Sequence, residues 1–411
     1  MTALRRVPPA PATSKELPEL PELPRSILHV SQPGSEGVGN YVARVAQLQA
    51  AAGHRVAVAC PADTGLAAAV DRSAVEFRPW SAGRQPGHDL PREVARLHAI
   101  VDEIDPAVVH LHSSKAGLAG RLAIRGRRPT VFQPHAWSFH ALDQPLAAMA
   151  IGWERLASRW TDVVVAVSDA ELAAGRSLRI RPRSDMRVTP NPVDTDRFTP
   201  EPNRPSEREQ VRRSLGLSDE PLAVCVGRLC HQKGQDRLVE LWPSVLERVP
   251  SAHLLLVGDG PSRTDLEARA GDQILFAGNR ADVPAILRAA QVVVLPSRWE
   301  GMSLAVLEAL ATARPVVTTD VAGVAETVGR GAGAIVAQDQ LATLVDEIAG
   351  RLDDPHRAAR EGAEGRRIMT SAHRFSMVVD RIGSAYRCAL EAHGVRRLRP
   401  AGPAGGAVDD G

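Results

Sequence analysis

Two carboxylates with seven residues between them, Glu300 and Glu308, lie within the stretch Val292–Val317, VVVLPSRWEGMSLAVLEALATARPVV. Val292–Pro296 is a short β-branched run ended by proline and predicts a buried strand. Ser297–Ser303 reads as a polar turn around Gly301, and Leu304–Ala313 as an Ala/Leu-rich helix closed by Pro315. The first backbone N–H groups of a helix have no partner within it, so Gly301, Met302, Ser303 and Leu304 form a ready anion site. A carboxylate on each side of such a site suits a ligand whose hydroxyls flank a phosphate. A nucleotide sugar has that chemistry: Glu300 can accept from sugar hydroxyls and Glu308 from ribose hydroxyls.

A charged pair of the opposite sign lies upstream. The apolar run LAVCVGRL continues into VGRLCHQKG, which sets Arg228 and Lys233 on the loop leaving a strand, where ligands bind in open α/β sheets. Arginine offers a fixed fork of donors and lysine a mobile point charge, a pairing suited to a diphosphate. Near the start, SILHVS is followed by QPGSEGVGNYVARVAQLQAAAGH, a glycine loop opening a helix. Gly37 and Gly39 would let the backbone approach a ligand there, although a plain tight turn accounts for that loop equally well. It is not the G-x-G-x-x-G dinucleotide pattern.

The elements that must position these residues alternate short apolar runs with Ala/Leu-rich helical stretches. One set runs from SILHVS to RVTPNPV and a second from LAVCVGRL to GAIVA. Such alternation argues for parallel sheets covered by helices, and 411 residues suit two domains. A net charge of +2 gives no reason to expect nucleic-acid binding. The four cysteines show no metal-ligand spacing and read as reduced thiols. No apolar run approaches the ~18 residues needed to span a bilayer, and the N-terminus lacks the apolar core of a signal peptide. A cytoplasmic protein is expected. Residues 1–25, with ELPELPELP, and residues 396–411 read as disordered tails.

Set between an apolar strand and PVVTTDVAG, PSRWEGMSLAVLEALA resembles the E-x7-E signature of retaining GT-B glycosyltransferases of glycosyltransferase family 4. The loop carrying Arg228 and Lys233 resembles that family's G-R-L-x-x-x-K-G. Asn191, Val193, Asp194 and Phe198 match its P-N-x-V-D-x-x-x-F segment, and VGDGP and FAGNRADV match two further loops. AVVHLHSSKAGLAGRLAIRGRRP with TVFQPHAWSF is similar to the subgroup of capsular and exopolysaccharide assembly, which extends sugars on a polyprenyl diphosphate. The resemblance covers about residues 26–395.

It implies an α/β GT-B fold: two Rossmann-like domains facing across a cleft, with a C-terminal helix crossing back to the N-terminal domain. The expected boundaries are an acceptor-side domain at 26–195, a hinge at 196–206, a nucleotide-sugar domain at 207–372 and a crossover helix at 373–395. The implied catalytic residues are His135, Arg228, Lys233 and Glu300. The implied donor site comprises Gly37, Gly39, Asn191, Arg228, Lys233, Gly258, Asn279, Arg280, Glu300, Gly301, Met302, Ser303, Leu304 and Glu308, with the base near Asn279 and Arg280. The reaction would be retaining transfer from a nucleotide-diphosphate sugar, a UDP-sugar first among them, to a glycan or polyprenyl-diphosphate-linked acceptor. No cofactor and no metal are expected; Asp194 and Asp196 form an Asp-x-Asp, but within a linker pattern. A small-molecule acceptor, a nucleotide-sugar 2-epimerase and a non-catalytic sugar-nucleotide sensor are the alternatives.

Four side features complete the reading. Ala313 and Ala322 stand where the family commonly has glycine, and a methyl near the donor would reshape the sugar subsite. His110 and His112 alternate with apolar residues and read as structural, while Ser113–Lys115 is an acceptor-contact candidate. Arg121, Arg125 and Arg128 fall on one helix face. They form a candidate basic stripe for reversible contact with anionic membrane at the inner face of the cell membrane.

Overall fold

The computed structural model describes residues 24–201 and 207–397; the expected tails lie almost wholly, and the end of the expected hinge wholly, outside the described residues. The two sets of apolar runs form two sheets. The first contains β1 (Ser26–Ser31), β2 (Arg55–Cys60), β3 (Glu76–Pro79), β4 (Val108–His112), β5 (Thr130–Gln133), β6 (Val163–Ala166) and β7 (Asp185–Val188). The second contains β8 (Leu222–Val226), β9 (His253–Val257), β10 (Ile274–Gly278), β11 (Val292–Leu295), β12 (Val316–Thr319) and β13 (Gly333–Val336). Their orders are β3-β2-β1-β4-β5-β6-β7 and β10-β9-β8-β11-β12-β13, and the strand pairings are parallel. Such strands are covered on both faces, which is why they read as continuous apolar runs. Val293, Val294, Val108 and Val109 have no exposed surface.

Strand order reverses between β1 and β4 in the first sheet and between β8 and β11 in the second. Ligand crevices open at such switch points, beyond the carboxyl ends of the strands. Gly37 and Ser113 open the helices that follow β1 and β4, and Arg228 and Glu300 lie on the loops leaving β8 and β11.

The chain crosses between sheets twice, side by side. The Val193 N–H donates to the His373 carbonyl at 2.8 Å, and His373 Nδ1 lies 2.8 Å from the Asn191 carbonyl. Val193 and Phe198 already pack in the second domain's core, so the first crossing lies upstream of the expected hinge at 196–206. The C-terminal helix Phe375–Arg397 then returns to the first sheet. Val378, Ile382, Ala385, Tyr386 and Ala389 are buried there among Ile27, Val108, Val131, Val163 and Val165. Each large apolar side chain so buried contributes roughly 1.5–3 kcal/mol.

The helix Leu304–Ala311 is two residues shorter than expected. It ends in a turn where Ala313 takes φ 54°, a left-handed backbone that favours glycine. That accounts for the glycine expected there, and Ala313 lies outside the cleft lining, so its methyl bears on the helix end and not on the sugar subsite.

The expected basic stripe is not present. Arg121 is buried and forms a double ion pair with Glu154 at 2.7 and 2.8 Å, its guanidinium 4.0 Å from the centre of the Phe132 ring. Arg125 ends its helix at φ 48°, and Arg128 pairs with Asp105 at 2.5 Å. The spacing placed Arg121 on a helix face correctly, but that face packs inward on a carboxylate 33 residues away. Arg121→Ala should therefore cost about 3–5 kcal/mol, because it leaves Glu154 buried and uncompensated, whereas Arg121→Met with Glu154→Leu should be nearly neutral. Urea unfolding of the two variants measures the difference.

Candidate functional site

A cleft cavity of about 420 Å³ lies between the sheets, within the size range of ligand sites. Residues of both domains line it, including His135, Arg228, Lys233, Glu300 and Glu308.

The second-domain wall is built on two loops. Gly234 takes φ 70° at the start of a helix, where a Cβ would lie 2.2 Å from the Pro296 carbonyl oxygen. Only glycine lets the Lys233 loop close on the end of β11. Lys233 Nζ consequently donates to Glu300 Oε1 at 2.5 Å, and Ser297 Oγ donates to the same oxygen at 2.9 Å. Burial opposes the Lys233 charge, but the neighbouring Glu300 carboxylate outweighs it and holds the lysine pKa above its ordinary value. These two residues thus serve each other within the cleft. Ser303 caps the helix Leu304–Ala311 in extended backbone, leaving the first N–H groups toward the cavity.

Asn191 ties the domain crossing to this loop by donating from Nδ2 to the Met302 carbonyl at 2.9 Å. Asn191 Oδ1 and Ser303 Oγ are buried in the lining and meet no partner among the described residues. Buried polar atoms are rarely left unpaired, so both are suited to a polar ligand.

Glu308 lies where the main cavity meets a smaller one of about 140 Å³ that also touches Arg197. Burial pushes its carboxyl up to about 7, with Arg197 and Lys233 pulling the other way.

Opposite stands the turn after β5. His135 takes φ 56° and Ala136 φ 130°, two consecutive non-glycine residues in backbone that such residues rarely adopt. Gly301 packs directly on them: a Cβ there would lie 3.0 Å from the His135 carbonyl. Glu171 supports the turn from behind. Its buried carboxylate accepts from the Val167 N–H at 2.7 Å, and its backbone carbonyl accepts from Trp137 Nε1 at 2.8 Å. Burial pushes the Glu171 carboxyl up to about 7, against the N–H groups of Val167 and Ala136. The His135 ring is held neutral by burial, its pKa pushed down to about 3.

Gly37 lines the cleft and faces Leu304 across it, whereas Gly39 is buried in its helix against the Gly34 carbonyl. Met302, Ser303 and Leu304 line the cavity. Gly258, Asn279 and Arg280 do not: Gly258 packs on the Gly227 carbonyl, and Arg280 is engaged with Asp282 at 2.8 and 2.6 Å. Ser113 and Ser114 reach the cavity, but Lys115 is buried in an ion pair with Glu93 at 2.6 Å and is closed to an acceptor. Asp194 Oδ1 accepts from the N–H groups of Asp196 and Arg197, so the Asp-x-Asp closes a turn.

The sequence reading missed Tyr41, Glu171 and the residues behind His135. His112 Nδ1 lies 3.1 Å from His135 Nε2, and His29 Nδ1 lies 2.9 Å from His112 Nε2. The alternation in VVHLH, one strand away from SILHVS, was the available signal: His29 pairs with His110 in register.

The chain resembles known proteins in sequence and in fold. The family pattern described as Glycosyltransferase Family 4 matches residues 35–197, and that described as Glycosyl transferases group 1 matches residues 220–354. The chain is 32% identical over 293 residues to a GDP-mannose-dependent alpha-(1-6)-phosphatidylinositol monomannoside mannosyltransferase of Mycolicibacterium smegmatis, covering 67% of this chain and 75% of that protein. It is 33% identical over 246 residues to a UDP-Gal:alpha-D-GlcNAc-diphosphoundecaprenol alpha-1,3-galactosyltransferase of Escherichia coli, covering 56% of this chain but only 62% of that one. The crystal structure of Anabaena HepE with UDP and glucose superposes with a TM-score of 0.76 at 21% identity, over 88% of this chain and 99% of that one, and shares the GT-B fold.

The Glu308 environment makes a pH prediction. Its carboxyl is largely protonated below about 7 in the free protein, and the ionised form is the better acceptor for ribose hydroxyls. Donor affinity should therefore rise about tenfold from pH 6 to pH 8. In Glu308→Gln the rise should disappear, with Glu171 still present as an internal control. Calorimetric titration of both proteins with a nucleotide sugar measures this.

Proposed function

The chain belongs to glycosyltransferase family 4, and from that membership and its charged cleft we propose retaining, metal-independent transfer of a hexose from a nucleoside diphosphate to a hydroxyl of a lipid-linked glycan or glycolipid. The Lys233–Glu300 pair beside an open helix N-terminus, facing His135 across one cavity, carries the reading.

The donor diphosphate would lie at Arg228, Lys233 and the N–H groups before Leu304. Lys233 would turn from Glu300 to the diphosphate, and Glu300 would then be released toward the sugar hydroxyls. The bond from the anomeric carbon to the diphosphate oxygen breaks as the acceptor oxygen bonds to that carbon on the same face. The acceptor proton passes to the departing diphosphate. Arg228, Lys233 and the helix end stabilise the leaving charge. Asn191 holds the loop, Glu308 receives the ribose, and His135 meets the reacting sugar or acceptor. UDP- and GDP-hexoses are the donors to compare, since one relative's name carries each base.

Those two names specify a diphosphoundecaprenol-linked and a phosphatidylinositol-linked acceptor. No helix among the described residues is long and apolar enough to cross a membrane. Surface contact has a different basis from the expected arginine stripe. Ala141 lines the cleft, and immediately after it Leu142, Leu146, Met149 and Leu156 are 39%, 53%, 68% and 41% exposed. Leu146, Met149 and Leu156 recur at helical spacing, so the helix Leu146–Ala157 presents an outward apolar face beside the cleft mouth. That face would rest on the bilayer that holds the acceptor.

The direct test supplies UDP- and GDP-hexoses with a polyprenyl-diphosphate-linked glycan and identifies the product by NMR. A product with the donor's anomeric configuration is expected, with rates unchanged by EDTA. Lys233→Ala should lose about 10²–10³-fold in kcat, as for removal of one charge-stabilising donor. An inverted product, or wild-type turnover in Lys233→Ala, would overturn the reading.

The apolar face has its own test. Leu146→Ser with Met149→Ser should weaken sedimentation with anionic liposomes and raise KM for the lipid-linked acceptor. Turnover on a short water-soluble acceptor should be unchanged.

A further inference from the structure

Behind the strained turn at His135 lies a run of buried imidazoles that the reaction does not explain. His29 on β1, His110 and His112 on β4, Gln49 on the helix Glu36–Ala51 and Tyr386 on the C-terminal helix are all buried. Gln49 Oε1 lies 2.7 Å from His29 Nε2, and Gln49 Nε2 donates to the Tyr386 hydroxyl at 3.4 Å. That hydroxyl lies 2.9 Å from His110 Nδ1.

The three histidine nitrogens here are close enough to suggest a metal cluster. The spacing argues otherwise. A metal holds imidazole nitrogens at about 2.0–2.1 Å and, in a tetrahedral site, sets two of them about 3.3 Å apart. The 2.9 Å between His29 Nδ1 and His112 Nε2 fits a shared proton instead.

A neutral imidazole has one donor and one acceptor nitrogen, so the polarity of such a chain propagates. The amide carbonyl of Gln49 can only accept, so His29 donates from Nε2 and accepts at Nδ1. His112 must then donate from Nε2 to His29 and accept at Nδ1. His135 must in turn donate from Nε2 to His112, which leaves its Nδ1 as a lone pair. His135 Nδ1 meets no partner among the described residues, and the ring lines the cleft. We infer that Gln49, His29 and His112 are positioning residues that fix His135 as the Nε2–H tautomer, so that it presents a hydrogen-bond acceptor to a substrate hydroxyl. This rests on the cleft being the transfer site, and it assigns His135 a direction: it accepts and does not donate.

Burial favours the neutral rings that this logic requires, pushing His29 down to about 4 and His135 to about 3, and His110 and His112 well below the ordinary value. The Tyr386 link fastens the far end of the chain to the helix that returns from the second domain.

The experiment has two readouts. Side-chain ¹⁵N NMR of histidine-labelled full-length protein, assigned with His135→Gln, reports the tautomer without any turnover. Wild type should show protonated Nε2 and unprotonated Nδ1 at His135. His112→Leu should lose that preference and lower kcat about tenfold at unchanged donor KM, the effect of one lost neutral hydrogen bond. His112→Gln keeps the polarity, since its amide nitrogen can donate to His29 while its oxygen accepts from His135, and should restore both. An Nδ1–H tautomer in wild type, or an unaltered tautomer in a folded His112→Leu, would overturn the inference. Absence of turnover in wild type, with the expected tautomer intact, would count against the proposed reaction and not against the chain.

Discussion

The burial of one helix on a sheet to which it is not sequentially adjacent governs the rest of the architecture. Val378, Ile382, Ala385, Tyr386 and Ala389 complete the core of the first domain, although the preceding helix Pro355–Ala372 belongs to the second. The two sheets cannot separate without exposing that core. Relative movement must pass through the two adjacent crossings at Asn191–Val193 and His373, which are bonded to each other. A paired crossing is stiffer than a single linker, and it holds the loops of the two domains facing each other across the cavity. The same helix also delivers Tyr386 to the imidazole chain.

Much of this was legible in the sequence because it rests on local patterns. Strand runs, the loop carrying Arg228 and Lys233, and the helix opening at Leu304 each lie within one continuous segment. Glu300, Glu308, Arg228 and Lys233 were found by type and spacing within such segments, and they meet in one cavity. What stayed hidden depends on partners distant in sequence. Arg121 looked exposed because nothing near it in sequence announces Glu154. His110 and His112 were read as structural and are buried, but their link to His135 needs β1, β4 and the turn after β5 side by side. Asn279 and Arg280 illustrate the opposite limit: matching a family loop did not bring them into the cavity lining.

The strained turn at His135–Ala136 and the bare carbon of Gly301 belong to one arrangement. A side chain at 301 would press on the turn, its Cβ 3.0 Å from the His135 carbonyl. Such backbone persists only where surrounding structure over-determines it. Glu171, Trp137 and the histidine chain supply that support from the first domain, while Gly301 closes on it from the second. Strain, burial and hydrogen bonding thus converge on a single ring where the two domains meet.

The two carboxylates of the Glu300–Glu308 unit are governed by different physics. Glu300 stands in an ion pair with Lys233 and takes a hydrogen bond from Ser297, so before a donor arrives the cleft compensates its own charges. A diphosphate offers Lys233 a partner of higher charge, and exchange of partners would then free Glu300 only when its ligand is present. Glu308 has no such partner at hydrogen-bond distance among the described residues, and burial sets its proton affinity near neutrality. One residue would therefore respond to the ligand and the other to the pH of the medium. The seven-residue spacing sets them on either side of the same helix opening, and both line one cavity.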